Sequence, residues 1–238
     1  MSLLYHILNA IFPRLCFNCD KIVKKEESFL CAECFAKIPI YSTLFCGLCR
    51  ARLPENKKIC HKNSLYVLGS ATKYADPIKK IIWELKYNKK TAAAKPLKMI
   101  METYLNKLQL IELISPIGRI SPIVIPLPLH PTKERQRGFN QSKLIAETAS
   151  AKLNLPLVKN CLLKNKNTLP QMELKNLEQR TKNVVNSFFV KNPELIKGKI
   201  IVLVDDIVTS GSTLTEAAKT LKSSGAKKII AITIAKAE

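Results

Sequence analysis

The chain has 238 residues, of which 47% are hydrophobic, so it can build one large domain or two small ones around a real core. Its 39 basic and 18 acidic residues give a formal net charge of +21, which favours nucleic acid, anionic lipid or phosphorylated ligands as partners. A solvated lysine-rich surface is the alternative explanation, because only 7 of the 39 basic residues are Arg. No stretch approaches the roughly 20 apolar residues that span a bilayer, which argues against an integral membrane protein.

The N-terminal segment Met1–Phe12 is apolar but lacks the basic start and the small-residue cleavage site of a signal peptide. We expect it to form a helix packed on the protein, with a membrane anchor as the alternative. The protein is then expected in the cytoplasm, where its cysteines stay reduced.

Seven of the eight cysteines lie within the first 60 residues. They form three Cys-x2-Cys knuckles and one final thiol, namely Cys16/Cys19, Cys31/Cys34, Cys46/Cys49 and Cys60. Each knuckle can occupy two corners of a zinc tetrahedron, so two knuckles complete a site. A disulfide framework is the alternative, but it fits a cytosolic chain poorly.

The simplest pairing of these ligands gives two structural zinc sites. The first site uses Cys16, Cys19, Cys31 and Cys34. The second uses Cys46, Cys49, Cys60 and His61. Interleaved pairing of the first and third knuckles is the alternative. The second site departs from the pattern, because Asn63 stands where a fourth knuckle needs cysteine and because two of its ligands are adjacent. We expect a zinc-ribbon-like domain over residues 1–63, held by metal because it is too short for a core of its own.

Strands and helices alternate along residues 64–238, which form the second expected domain. Strands are predicted at Leu65–Thr72, Pro122–Leu127, Ser187–Lys191, Lys199–Val204 and Lys228–Ile234. Helices are predicted at Asp76–Lys86, Thr91–Leu113, Phe139–Leu153 and Ser212–Ser223. This alternation predicts an α/β fold with a parallel-rich sheet flanked by helices. Trp83 is expected in the core because of its helical spacing. Stacking on nucleic-acid bases, together with Tyr74 and Tyr87, is the alternative.

A cationic segment follows the second of these strands. After the proline-rich turn at residues 126–131 come Lys133, Arg135 and Arg137. Arginine offers a bidentate fork for phosphate, so this loop suits an anionic group, and a solvated basic loop is the alternative. His130, which stands alone, is expected to be a hydrogen-bonded loop residue rather than a catalytic base.

A polar, lysine-rich segment runs from Lys164 to Asn183 and contains Thr168, Gln171 and Arg180. It can act as a mobile lid that excludes water from a reactive sugar. An exposed irregular loop is the alternative.

Residues 200–213 carry the most specific pattern, a buried apolar strand that runs into Asp205 and Asp206. The residues after the acids suit a phosphate-binding loop at a helix start, namely Thr209, Ser210, Gly211, Ser212 and Thr213. A phosphate site beside two acids indicates a phosphorylated ribose. An ordinary strand-to-helix turn is the alternative.

This run resembles the signature of the type I phosphoribosyltransferases, which bind phosphoribosyl pyrophosphate (PRPP). With the cysteine knuckles, "VIPLPLHPTKERQRGFNQS" and "IIVLVDDIVTSGSTL", the chain resembles the ComF family of natural-competence proteins along essentially its whole length. Thr168-x2-Gln171, Arg180-x2-Asn183 and Leu85-Lys86-Tyr87 also fit. Departures are Asn63 and Lys164, the latter at a position where Arg is common.

The resemblance implies a phosphoribosyltransferase fold behind an N-terminal zinc ribbon. It implies that residues 209–213 bind the 5′-phosphate of PRPP, that Asp205 and Asp206 hold the ribose hydroxyls directly or through Mg²⁺, and that Lys133, Arg135 and Arg137 bind pyrophosphate. It further implies a cytoplasmic role in uptake of transforming DNA, with single-stranded DNA and the inner-membrane uptake machinery as partners. The alternative is an active transferase that moves phosphoribosyl to an unknown nitrogen nucleophile. No catalytic residue and no acceptor pocket can be identified in the sequence.

Overall fold

The structure is a computed structural model that describes residues 13–23, 29–54, 60–108, 122–169 and 176–237. The helix expected at Met1–Phe12 lies outside these residues, as does the end of the helix expected to reach Leu113.

The described residues form seven strands and seven helices. The strands are β1 (Leu44–Cys46), β2 (Val67–Lys73), β3 (Ile123–Pro126), β4 (Leu162–Lys164), β5 (Phe188–Val190), β6 (Ile200–Val208) and β7 (Lys228–Lys236). The helices are α1 (Ala32–Ala36), α2 (Ile78–Lys86), α3 (Ala94–Leu108), α4 (Pro131–Arg137), α5 (Gln141–Leu153), α6 (Leu177–Val184) and α7 (Ser212–Ser223). Short 3-10 turns lie at Thr91–Ala93 and Pro193–Leu195.

Five strands form one sheet in the order β1-β2-β7-β6-β3. The pairs β2–β7, β7–β6 and β6–β3 are parallel, whereas β1 is antiparallel to β2. Because helices cover both faces, the central strands β6 and β7 are buried almost throughout, which explains their continuous apolar sequences. The predicted α/β fold with a parallel-rich sheet is confirmed.

Two apolar clusters lie on opposite faces of this sheet. One contains side chains of α2, α3 and α5, together with the first cysteine cluster. The other contains side chains of α7 and of the two-stranded β4–β5 sheet. The sheet therefore forms the middle layer of three, and its carboxyl edge remains open for a site.

Strand β6 is longer than its sequence predicts. The apolar run suggests an end at Val204, but pairing with β7 continues from Asp205 to Val208. Pairing with β3 stops at Val204. The two acids thus lie beyond the end of β3. On that side β6 is not paired with another strand of the described residues, so a ligand can reach them.

Three helices were not predicted, and the first, α1, lies in the cysteine-rich part of the chain. Helix α4 occupies the cationic segment, because Pro131 starts it favourably and Gly138, with φ of 87°, ends it. Helix α6 occupies the end of the lid candidate, Lys164–Asn183, so this part is not the irregular loop of the alternative interpretation.

The cysteine-rich part is continuous with the main sheet. Strand β1 contains Cys46 and pairs with β2 through Phe45 and Leu68. Tyr41 donates its backbone N–H to Ala71, and Tyr104 donates its hydroxyl to the Thr43 carbonyl. The expected boundary between residues 63 and 64 stays a prediction, and β1 joins the two parts of the chain across it.

Candidate functional site

A cavity of about 580 Å³ lies at the carboxyl ends of β3 and β6. It brings together most of the residues that the sequence singles out, namely Lys133, Arg137, Thr168, Arg180, Asp205, Asp206, Thr209, Ser210, Gly211 and Thr213. Arg135 instead lines a neighbouring cavity of about 520 Å³, and Gln171 lies outside the described residues. Ser212 is buried behind the loop, where its hydroxyl is 2.9 Å from that of Ser210.

The phosphate-loop candidate, residues 209–213, joins β6 to α7. Gly211 has φ of 76°, a left-handed conformation that strongly favours glycine, and α7 begins at the next residue. The loop therefore meets the amino end of a helix of 12 residues, where backbone N–H groups and the helix dipole favour an anion.

The two acids are buried and held by side chains from α5 and α2. Asp205 and Asp206 are 8% and 2% exposed. Asp205 accepts hydrogen bonds from the Ser142 hydroxyl at 2.7 Å and from the backbone N–H of Asp206 at 2.9 Å. Asp206 accepts one from Gln141 Nε2 at 3.2 Å and forms an ion pair with Lys86 Nζ at 2.5 Å.

The environment of this pair changes its proton affinity. Burial, followed by the neighbouring Asp206 charge, raises the pKa of Asp205 from its ordinary 3.8 to about 7. Burial alone would lower the pKa of Lys86, but the charges of Asp206 and Asp205 outweigh it and raise the pKa. Lys86 forms an ion pair with Asp206, and Arg137 and Lys164 act on the two acids at longer range. Burial and the Asp206 charge still outweigh these cations at Asp205, because its pKa stays raised.

The cavity also has a cationic wall, formed by Lys133, Arg137 and Lys164. Lys133 donates to the Thr168 carbonyl at 2.6 Å, and Lys164 donates to the Thr168 hydroxyl at 2.9 Å. Burial and the nearby Lys133 lower the pKa of Lys164 to about 8. Arg137 donates to Gln141 Oε1 at 2.5 Å, which links the cationic side to the residue that contacts Asp206.

The two ends of the lid candidate contact each other, and one of them also contacts the start of α7. Asn183 exchanges hydrogen bonds with the backbone of Leu169, at 3.1 and 2.9 Å. The hydroxyl of Thr181, in α6, is 3.3 Å from that of Ser212. Thr168 and Arg180 are thereby brought to the cavity wall.

The expectation that Trp83 lies in the core is wrong. Trp83 is 45% exposed and Tyr87 is 43% exposed, because the apolar face of α2 is supplied by other residues. Their ring centroids are 4.3 Å apart, and both residues line the cavity. His130 caps α4, with its Nδ1 accepting from the Thr132 N–H at 3.3 Å.

Two clusters of possible metal ligands lie in the cysteine-rich part. They are Cys16, Cys19, Cys31 and Cys34, and Cys46, Cys49, Cys60 and His61, with all ligand atoms of a cluster within 4.8 Å of one another. Tetrahedral zinc with bonds of about 2.3 Å holds its sulfurs about 3.8 Å apart. The Cys19–Cys31 and Cys49–Cys60 sulfur distances are both 3.7 Å, so both clusters fit zinc. Adjacent Cys60 and His61 contribute to one cluster despite Asn63.

Several residues of the site were not assigned roles from sequence. Gln141 and Ser142 appear there only in a predicted helix and at the end of a quoted motif, and Lys86 only as part of a short motif. Arg50, from the third knuckle, contacts the loop at residues 209–210. The scarcity of arginine, which supplies 7 of the 39 basic residues, is the sequence signal that could have marked Arg50.

Comparisons with known proteins agree with this architecture. Residues 145–238 match the family model of the phosphoribosyl transferase domain, and residues 7–64 match that of the double zinc ribbon domain. The chain is 26% identical to the DNA utilization protein YhgH of Shigella flexneri over 90% of this chain and 87% of that protein. Competence protein F of Haemophilus influenzae gives the same identity and the same coverage. Competence protein ComFC of Bacillus subtilis is 24% identical over 89% of this chain and 79% of that protein.

The chain is a homologue of the ComF proteins. Its fold is a phosphoribosyltransferase domain with an N-terminal double zinc ribbon that carries two cysteine clusters. Among the described residues of this ComF homologue, no helix combines the length and apolarity needed to cross a bilayer.

The two clusters predict two zinc ions per chain. Cys34→Ser and Cys60→Ser should each remove one zinc equivalent, because each removes one of four ligands from a different cluster. Cys161→Ser, a buried cysteine outside both clusters, should keep both ions. Metal content is measured by atomic emission on the purified chain. A metal-free chain, or loss of both ions from either variant, would contradict two independent sites.

The buried carboxylate predicts a variant that is more stable than the natural protein. Asp205→Asn keeps an oxygen for Ser142 and for the Asp206 N–H but removes the buried charge. Because the folded pKa of Asp205 is raised from 3.8 to about 7, the charge destabilises the fold increasingly as pH rises between these values. The variant should therefore gain about 2–4 kcal/mol at pH 8 and almost nothing near pH 4. Urea unfolding across this pH range measures the gain, with exposed Glu194→Gln as control.

A gain that is equal at both pH values would show that the carboxylate is not the source of the difference. A loss of stability at pH 8 would show that Asp205 is fully compensated in the folded protein.

Proposed function

We propose that this ComF homologue binds PRPP together with Mg²⁺ and acts in cytoplasmic handling of single-stranded transforming DNA. One observation carries the first part of the proposal. A single cavity joins a phosphate-type loop, a pair of buried acids and a cationic wall, which are the three surfaces that PRPP requires. Its volume of about 580 Å³ is within the range of small-molecule sites.

Each part of PRPP has a matching surface. The 5′-phosphate is bound by the backbone N–H groups and hydroxyls of residues 209–213. The ribose hydroxyls donate to Asp205 and Asp206, whose carboxylates are acceptors. The pyrophosphate contacts Lys133 and Arg137 on the cationic wall, whereas Arg135 lines the neighbouring cavity and takes no part in this arrangement.

The acids also fit a magnesium site. Carboxylate oxygens and substrate phosphates are the ligands that Mg²⁺ prefers, and bound Mg²⁺ supplies charge neutralisation of the pyrophosphate. Lys86 compensates Asp206 in the ligand-free protein, at 2.5 Å. Binding of the sugar and the ion adds hydrogen-bond donors and positive charge at Asp205, whose pKa is raised because burial and Asp206 outweigh the nearby cations. The ligand therefore reduces the free-energy cost of this buried charge.

The proposed action on DNA rests on the net charge of the chain and on the Trp83–Tyr87 ring pair, which lines the same cavity. The names of the relatives concern competence and DNA utilization. The net charge of +21 favours the phosphate backbone, and the paired rings of Trp83 and Tyr87 offer an exposed face for a base. We place this action in the cytoplasm, peripheral to the inner membrane and beside the uptake machinery.

A second candidate is an active phosphoribosyltransferase, and the cationic wall favours it. In that reaction the bond from the anomeric carbon to pyrophosphate breaks, and a bond to a nitrogen nucleophile forms. The pyrophosphate leaves with the bonding electrons and the nucleophile loses its proton to solvent. Lys133, Arg137 and Lys164 stabilise the developing negative charge, and catalysis depends on positioning.

Titration with PRPP, with and without Mg²⁺, tests the proposed ligand. The natural protein should bind PRPP more tightly with Mg²⁺, and the double variant Asp205→Asn/Asp206→Asn should lose about 100-fold or more, because two charge-assisted contacts are removed. Calorimetry measures both. The control Glu102→Gln/Glu194→Gln removes two exposed acids and should bind normally.

Absence of PRPP binding, or equal binding by the double-aspartate variant, would contradict the proposed site. Pyrophosphate release during incubation with a panel of bases and amines would decide for the transferase, and binding without release would decide against it for that panel.

Binding to a single-stranded thymidine homopolymer tests the DNA proposal. The affinity should fall steeply between about 50 and 200 mM salt, because bound lysines release counterions from the phosphates. Trp83→Ala should weaken binding about 5- to 100-fold through loss of a stacking face. Met99→Ala, which truncates another exposed apolar side chain, is the control. Fluorescence anisotropy measures these affinities, and an affinity that is unchanged by salt would contradict the electrostatic account.

A further inference from the structure

Arg50 connects the second cysteine cluster to the phosphate loop. It follows Cys49 directly and has φ of 60°, and its backbone N–H donates to the Cys46 carbonyl at 2.9 Å. The backbone of Arg50 is therefore part of the knuckle turn itself. When a metal ion holds Cys46 and Cys49, the backbone of Arg50 is held in place as well.

The side chain of Arg50 reaches across to the other part of the chain. Its Nη1 donates to the Thr209 carbonyl at 2.5 Å, and its Nη2 donates to the Ser210 carbonyl. These partners are 159 and 160 residues away in sequence. The two N–H groups of one planar guanidinium thus hold two consecutive carbonyls, which fixes the direction of both peptide groups.

This contact determines where the loop's donors point. In a trans peptide the C=O of one residue and the N–H of the next lie on opposite sides of the plane. Since Arg50 draws the carbonyls of Thr209 and Ser210 to its side, the N–H groups of Ser210 and Gly211 face the other way. The cavity is lined by the same three loop residues. Within the described parts of the chain, no acceptor is found for either N–H.

The third knuckle, Cys46–Cys49, packs tightly next to the loop at residues 209–213. A Cβ at Gly47 would lie 2.2 Å from the Tyr66 carbonyl oxygen, so this turn packs directly against the backbone next to β2. Tyr66 is buried, and a Cβ on Gly211 would lie 3.3 Å from its hydroxyl and 3.4 Å from Arg50 Nη2. The turn, Tyr66 and the loop therefore form one close-packed unit.

We propose that Arg50 is a positioning residue, which presents the N–H groups of Ser210 and Gly211 to a sugar phosphate. The second cysteine cluster, by fixing the Arg50 backbone, then sets the affinity of the loop for that phosphate. This inference rests on the proposed binding of a phosphorylated ribose at residues 209–213. Because coupling free energies are reciprocal, a bound phosphate must also strengthen metal retention at Cys46, Cys49, Cys60 and His61.

Two probes and three variants test the positioning role. The probes are ribose 5-phosphate, which needs the loop, and Mg²⁺-pyrophosphate, which needs the cationic wall. Arg50→Met should weaken ribose 5-phosphate binding about 5- to 100-fold and leave pyrophosphate binding unchanged. Arg50→Lys should lose nearly as much, because lysine keeps the charge but lacks the fork. Arg52→Met removes an exposed arginine two residues away and should bind both probes normally.

A double-mutant cycle tests the link to the cluster. Cys60→Ser should weaken ribose 5-phosphate binding in the natural background and add little in the Arg50→Met background, because both changes release the same contact. Amide exchange at Ser210 and Gly211 provides a readout that needs no ligand, and both amides should exchange differently in Arg50→Met but not in Arg52→Met. In the natural protein, ribose 5-phosphate should slow zinc release to a chelator.

Equal binding of ribose 5-phosphate by Arg50→Met and the natural protein would overturn the inference, as would equal losses for both probes. If the natural protein binds no ribose 5-phosphate, the proposed function fails. Amide exchange then still decides whether Arg50 orients the loop, and unchanged exchange overturns that part as well.

Discussion

Two adjacent carboxylates buried at the end of a central strand are the constraint around which the site is built. Asp205 and Asp206 lie in β6 beyond the last residue paired with β3, so the sheet itself exposes them to a cavity. Lys86, Gln141 and Ser142 come from two helices to hold them. The compensation is incomplete, since the pKa of Asp205 is raised to about 7 by burial and by its neighbour. Buried charges that destabilise the fold are typical of functional sites, where a bound ligand can stabilise them.

The zinc ribbon is joined by direct contacts to the loop at residues 209–213, which lines the cavity. Strand β1 extends the main sheet from within the ribbon, and Arg50 leaves the third knuckle to hold the carbonyls of the phosphate loop. If the metal ions only stabilised the ribbon itself, neither the β1–β2 pairing nor the Arg50 contact would be required. On our proposal, these short contacts couple metal binding in the ribbon to phosphate binding at the loop without a large movement of either part.

Much of the fold and part of the site could be predicted from the sequence. The apolar runs of β6 and β7 and the Cys-x2-Cys spacing are local patterns, and both gave the correct architecture. Local patterns do not show which residues, far apart in the sequence, contact each other in the fold. The contact of Arg50 with residues 209–210 and the ion pair of Lys86 with Asp206 depend on how the elements pack. Trp83 was assigned to the core because its spacing matches the apolar face of α2, yet that face is filled by isoleucine and leucine. Arg135 follows the same cationic pattern as Arg137 but points to another cavity, because α4 turns the two side chains apart.

Proton release on binding is the most direct test of the central claim, that Asp205 and Asp206 are held for a sugar-phosphate ligand. Calorimetric titration of Mg²⁺-PRPP near pH 7, in buffers of different ionisation enthalpy, measures the protons released. Because donors from the ligand favour the ionised carboxylate, the natural protein should release a fraction of a proton that Asp205→Asn does not release. Equal proton release by the two proteins, with binding intact in both, would contradict the account.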